Sequence, residues 1–117
     1  MTEKDKRVLQ KLLKHCDKII TYNAQNQSLD DFVADEMVIE ATVFNLLQIG
    51  ELSKQQLSDQ VKKIRPGIPW NAIYGLRNRM VHGYGDVDYT IVWDTVNDDI
   101  PELRGSLQEL LKDEKVE

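Results

Sequence analysis

Val8, Leu9, Leu12, Leu13, Cys16, Ile19 and Ile20 recur at spacings of three and four. That is one stripe of an amphipathic helix, and it predicts a helix over residues 3–25 with Thr2 as its N-cap. Cys16 lies on the stripe and reads as a buried thiol rather than a reactive one. A polar break covers residues 23–31, where Ser28 or Asp30 can start the next helix. From Phe32 to about Leu57 the helical pattern runs on, and its middle, MVIEATVFNLLQIGEL, is apolar on most of its circumference. Such a helix must be covered on more than one side, and in a small domain a second chain is a natural cover.

One narrow stripe of that helix stays polar: Thr42, Asn45, Gln48, Glu51 and Gln55. The spacing puts them on a shared face, either a solvated one or the wall of a polar cleft. Gly50 sits mid-helix at a cost of about 1 kcal/mol relative to Ala, so a close neighbour is expected there. Residues 58–65 predict a short helix or turn. The run RPGIPW then breaks the chain, with Pro69 suited to a first helical turn. The next helix starts near Trp70, places Ile73, Leu76 and Met80 on one face, and is expected to end near Gly83 or Gly85. Asp88 caps a further helix with Ile91, Val92 and Val96 inward. Pro101 marks a kink or a fresh start. Leu103, Leu107, Leu110 and Leu111 complete the last amphipathic stretch, and residues 112–117 read as a frayed tail.

No strand, internal repeat or low-complexity segment stands out. The expectation is an all-α protein: one domain over residues 1–117, an up-and-down bundle of four to five helices, homodimeric. The chain's 117 residues, 41% hydrophobic and 30% charged, fit one small globular domain. A net charge of -5 argues against a protein that coats nucleic acid non-specifically, so any contact with nucleic acid must use a local cationic patch. No apolar run approaches a membrane span, the charged start MTEKDKRVLQ lacks a secretory h-region, and the single Cys16 has no internal disulfide partner. Those features point to the cytoplasm.

The candidate chemistry lies in RNRMVHGYGDVD, residues 77–88. On a straight helix Asn78 and His82 would share a face, whereas Arg77 and His82 would point roughly 140° apart. Arg77 and His82 converge if the helix end bends or if two copies meet around a twofold axis. Arg77 can fork onto two phosphate oxygens, and an imidazole such as that of His82 can take or give a proton. Asn78 could orient the imidazole or a substrate oxygen. Such a set suits attack of an RNA 2′-hydroxyl on its own phosphate without a metal, with His82 as general acid or base and Arg77 stabilising charge on phosphorus. No metal-ligand spacing is present; the only other histidine is His15, on a different helix. The helix macrodipole by itself also favours Arg and His near a helix C-terminus, so a plain capping role stays open.

The run Arg77, four residues, His82, Gly83, Tyr84 resembles the R-x-x-x-x-H-x-Y signature of HepT toxins, a branch of the HEPN superfamily. LLQIGEL resembles the family's I-G-E segment. RPGIPWNAIYGLRNRMVHGY resembles its P-x-I-P-W block, and VDYTIVWDTVNDDIPEL its V-D-x-x-x-V-W block. The likeness covers roughly residues 5–112. It implies an all-helical homodimer with a composite site at the dimer interface, acting as a metal-independent ribonuclease without a cofactor. It also implies the toxin role of a type II toxin–antitoxin module, whose antitoxin is a minimal nucleotidyltransferase of the MntA type that transfers AMP to the motif tyrosine. Carried over, Arg77 and His82 are the catalytic pair, Asn78 fills the polar position after the arginine, and Tyr84 is the AMP acceptor. Glu51 is the acid of the I-G-E segment and is expected to pair with Arg77 or orient His82, against the plainer reading of a solvated glutamate. Gly85 and Asp86 depart from the aromatic–Gly sequence common in the family and add an acid beside the cleft. Tyr74, Tyr89, Trp70 and Trp93 read as packing residues, and Arg79 as either solvated or a further contact for RNA or the antitoxin. Two alternatives compete: a non-catalytic helical subunit that presents nucleotide or substrate to a nucleotidyltransferase, and a plain dimeric scaffold.

Overall fold

A computed structural model describes residues 1–113. In chain order its elements are α1 (Glu3–Tyr22), α2 (Leu29–Val33), α3 (Glu36–Gln55), α4 (Asp59–Ile64), α5 (Trp70–Tyr74), α6 (Leu76–Met80), α7 (Tyr89–Asp94), a π-helical turn (Thr95–Asp99) and α8 (Ile100–Asp113). Helices α1 and α3, the broken rod α5–α6 and the continuous rod from α7 to α8 form the all-helical bundle. α3 packs against α1, α2, α5 and α6, while α1 also packs against α8 and α7 against α2 and α6. Leu9, Leu12, Cys16, Ile19, Leu46, Ile49, Met80 and Leu107 fill the shared core.

The start of α1 is tied down by chemistry legible in its first residues. Thr2 Oγ1 accepts the Asp5 amide at 3.0 Å and Asp5 Oδ2 accepts the Thr2 amide at 3.3 Å, a reciprocal cap that satisfies two otherwise orphan donors. Asp5 reaches further. Its carboxylate accepts the Ser58 amide at 3.0 Å and the Ser58 hydroxyl at 2.8 Å, which fastens the start of α4 to the start of α1. Burial pushes the Asp5 carboxyl up, but the hydrogen bonds from Ser58 and Thr2 outweigh it and leave the group below its ordinary value. Cys16 is fully buried and its thiol is pushed up to about 12, chiefly by desolvation, so it stays protonated and inert.

Three expectations drawn from the sequence require correction. The helix expected to run unbroken from Phe32 splits at Ala34, because Asp35 caps a new helix by accepting the Val38 amide at 3.4 Å, and Ser28 caps the short α2 before it. The polar stripe of α3 is not one surface. Thr42 and Asn45 are buried against α1, where Thr42 Oγ1 accepts from Asn23 Nδ2 at 3.0 Å and Asn45 Oδ1 lies 2.7 Å from His15 Nδ1. Glu51 and Gln55, further along the same stripe, are exposed. The helix starting at Trp70 ends at Met80, well short of Gly83. Of the expected tail, Lys112 and Asp113 continue α8; residues 114–117 lie outside the described residues.

Pro101 neither breaks nor restarts the helix; it lies within the continuous rod and is accommodated by a widened turn. A proline ring clashes with the carbonyl four residues back, and here the preceding turn is widened to π geometry over Thr95–Asp99. Thr95 Oγ1 and Asn97 Nδ2 donate to the carbonyls of Ile91 and Trp93, at 2.7 and 2.8 Å. No helix among the described residues is long and apolar enough to cross a membrane.

Candidate functional site

Two breaks in the chain position the candidate residues. The first is at Gly75, which ends α5 and begins α6. Residues 70–80 pack this way because α5 lies hard against α3: a side chain at Gly50 would put its Cβ 3.1 Å from the Ile73 carbonyl oxygen. Gly50 is therefore the close neighbour expected from its mid-helix placement. Arg77 and Asn78 follow at once on α6, both exposed.

The second break follows Met80. Val81 is extended and bridges antiparallel to Val87, the His82 amide donates to the Asp86 carbonyl at 2.8 Å, and the Gly85 amide donates back to the His82 carbonyl at 2.8 Å. The result is a tight hairpin with a three-residue loop, Gly83–Tyr84–Gly85. Its last position has φ +92°, which suits glycine and is strained for any L side chain. This overturns the single-helix geometry. Asn78 and His82 do not share a helix face, because His82 and Tyr84 belong to the hairpin. The helix end does bend, yet no hydrogen bond or shared cavity joins Arg77 to His82 within one chain.

Within the hairpin the His82 and Tyr84 rings stack, with centroids 5.6 Å apart and planes inclined by 17°. Tyr84 is 77% exposed. The imidazole Nε2 also lies 3.9 Å from Asp88 Oδ2, while Asp88 Oδ1 caps α7 by accepting the Ile91 amide at 3.1 Å. Sequence reasoning identified Asp88 only as a cap. Its second role follows from the hairpin, which folds residue 88 back beside residue 82.

Arg77 and Asn78 open instead into a cavity of about 540 Å³ between α3 and the α5–α6 turn. Glu51 lines the same cavity, so the structure brings Glu51, Asn78 and Arg77 together, with Gln48 and Lys54 beside them. His82 and Tyr84 do not line it. No hydrogen bond or ion pair is seen between Glu51 and Arg77; Glu51 Oε1 instead accepts from Gln55 Nε2 at 2.8 Å. Of the residues expected to pack, Trp70 is buried with Nε1 donating to the Arg65 carbonyl at 3.1 Å, and Trp93 lies 5.4 Å from the Phe32 ring. Tyr74 is half-buried beneath Lys62. Tyr89 differs: it sits exposed at the first turn of α7. Arg79 is exposed, as expected. Among the described residues no group of three or more His, Cys, Asp or Glu side chains is placed to hold a metal ion.

The family model described as ribonuclease HepT-like matches residues 12–110. The chain belongs to the HepT-like ribonuclease family. A candidate RNase of Caldanaerobacter subterraneus subsp. tengcongensis is 35% identical over 107 residues, covering 92% of this chain and 94% of the relative. A candidate ribonuclease HepT of Thermococcus cleftensis is 36% identical over 83 residues, covering 71% and 74%. A candidate RNase of Methanocaldococcus jannaschii is 32% identical over 108 residues, covering 92% and 88%. No solved structure matches at the stringency these relatives meet. The family resemblance read from the sequence motifs is thus borne out, and with it a ribonuclease as the class of enzyme.

Proposed function

We propose that this chain is a metal-independent endoribonuclease that works as a homodimer and serves as the toxin of a type II toxin–antitoxin pair. The observation that carries the reading is the exposure of Arg77, Asn78, His82 and Tyr84 at one helix-to-hairpin junction, in a chain of a ribonuclease family. His82 removes the proton of an RNA 2′-hydroxyl. The 2′-oxygen forms a bond to the adjacent phosphorus and the P–O5′ bond breaks, leaving a 2′,3′-cyclic phosphate and a 5′-hydroxyl. A protonated imidazole, supplied by the second copy, returns a proton to the leaving oxygen. Arg77 neutralises the charge that accumulates on the non-bridging oxygens. Asn78 hydrogen-bonds substrate beside it.

The dimer is supported by α3. Met37 is 83% exposed and Phe44 57%, and seven residues apart they share a face. Covering that face with a second copy around a twofold axis brings two α6 ends toward one cleft. Regulation is supported by Tyr84, whose exposed hydroxyl can attack the α-phosphorus of ATP on a nucleotidyltransferase of the MntA type, with pyrophosphate leaving. The resulting AMP is a bulky anion on a ring already stacked against His82, where it competes with RNA phosphate.

Induced expression tests the reading in cells. Wild type should arrest growth, His82→Ala should not, and co-expression of the nucleotidyltransferase should relieve arrest and leave AMP on Tyr84 by mass spectrometry. Absence of arrest by wild type, with a soluble dimer that binds the nucleotidyltransferase, would favour the non-catalytic partner subunit instead.

A further inference from the structure

We infer that the cavity between α3 and α6 is a base-recognition subsite for single-stranded RNA, in which Glu51 selects bases carrying an amino group on the Watson–Crick edge over uracil. The inference rests on the proposed ribonuclease reading for its substrate class, and it assigns the cavity a task which that reading leaves open.

The cavity's volume, about 540 Å³, is in the range of small-molecule sites, roughly 300–1,000 Å³. Phe44, Leu47 and Leu76 give it apolar wall, which suits the faces of a base. Phe44 also belongs to the face proposed to meet the second copy, so the cavity opens beside that proposed interface. Arg77 lines the cavity and is also the residue that takes the scissile phosphate. A nucleotide whose phosphate lies at Arg77 therefore has this cavity within reach of its base. RNA sequence is read mainly from unstacked bases through such edge contacts.

Glu51 is the residue that makes the subsite selective. Its Oε1 accepts from Gln55 Nε2 at 2.8 Å, a contact with the next turn of its own helix. Its other oxygen is an acceptor and cannot donate while ionised. Adenine, cytosine and guanine each offer an exocyclic amino group to such an acceptor. Uracil offers only N3–H, and the carbonyls on both sides of it repel a carboxylate. Lys54 lies three residues on from Glu51, lines the same cavity, and supplies a second cation for the backbone without reading the base.

The test is binding of fluorescent oligo(A), oligo(C) and oligo(U) RNA to His82→Ala, which leaves the cavity intact. His82→Ala should hold oligo(A) and oligo(C) roughly tenfold more tightly than oligo(U), the size of one good edge contact. Adding Glu51→Gln keeps the side chain's size but lets it donate as well as accept, so the three affinities should converge. Equal affinities before that change, no binding of any oligonucleotide, or a preference that survives it, would each overturn the subsite. Failure of the ribonuclease reading looks different: wild type would leave RNA uncut while the Glu51-dependent preference remained.

Discussion

His82 and Asp88 face each other across the base of a hairpin, with Nε2 3.9 Å from one carboxylate oxygen while the other oxygen caps α7. One side chain thus links the proposed acid–base residue to the start of a helix. The two roles separate by substitution. Asp88→Asn keeps a good cap and should cost only a few tenths of a kcal/mol, whereas Asp88→Ala should cost about 1 kcal/mol in thermal or urea unfolding. Both remove the negative charge from beside the imidazole, so both should lower kcat for RNA cleavage. An Asp88→Asn enzyme with the wild-type kcat would leave Asp88 as a cap and nothing more.

Gly50 and Ile73 set how closely α5 approaches α3. Gly50→Ala gains about 1 kcal/mol of helix propensity. It also forces the Ile73 carbonyl to yield, and overpacking of this kind costs about 1–3 kcal/mol. The expected net effect is a loss of roughly 1 kcal/mol in unfolding free energy. A larger loss of RNA cleavage should accompany it, because the displaced segment carries Arg77.

The pairing of His15 with Asn45 is a polar contact inside the α1–α3 interface, 2.7 Å long, and Asn45 Nδ2 also donates to the Ala41 carbonyl at 2.7 Å. Asn45→Ala strands the imidazole. It should destabilise the fold by about 1–3 kcal/mol in denaturant unfolding, the cost of a lost partner at a shielded site. Replacing both residues with apolar ones should cost less than the single change.

Asp5 gives the fold a pH dependence at its acid end. Its carboxyl lies below the ordinary value in the folded chain, so the stability it contributes is present above the unfolded value, about 3.9, and is lost as pH falls through the folded one. Asp5→Asn should therefore be less stable than wild type at neutral pH, by about 1–2 kcal/mol. The gap should narrow as the pH is taken below about 4. A gap independent of pH would mean that the contacts with Ser58 and Thr2 do not depend on the charge.

Much of the fold is legible in the chain because helix signals are local. The stripe from Val8 to Ile20 and the caps at Thr2, Ser28 and Asp88 need only neighbouring residues. The break at Gly75 is hidden, since Ile73, Leu76 and Met80 keep helical spacing straight across it. The hairpin is hidden for a related reason: a single bridged pair, Val81 and Val87, is too short to show a period of two. That is why the residue types of the candidate site could be named while their geometry could not, and why Asp88 emerged only once the chain folded back. Thr42 and Asn45 could not be told from a solvated stripe, because their partners His15 and Asn23 lie on another helix.

The most direct measurement is cleavage of a short labelled RNA by purified wild type, Arg77→Ala and His82→Ala, all three shown to be folded, in buffer containing EDTA. Wild type should yield products ending in a 2′,3′-cyclic phosphate, with either substitution lowering the rate by about a hundredfold or more. Cleavage by all three proteins at the same rate would contradict the assignment of Arg77 and His82. So would a wild type that leaves every RNA intact.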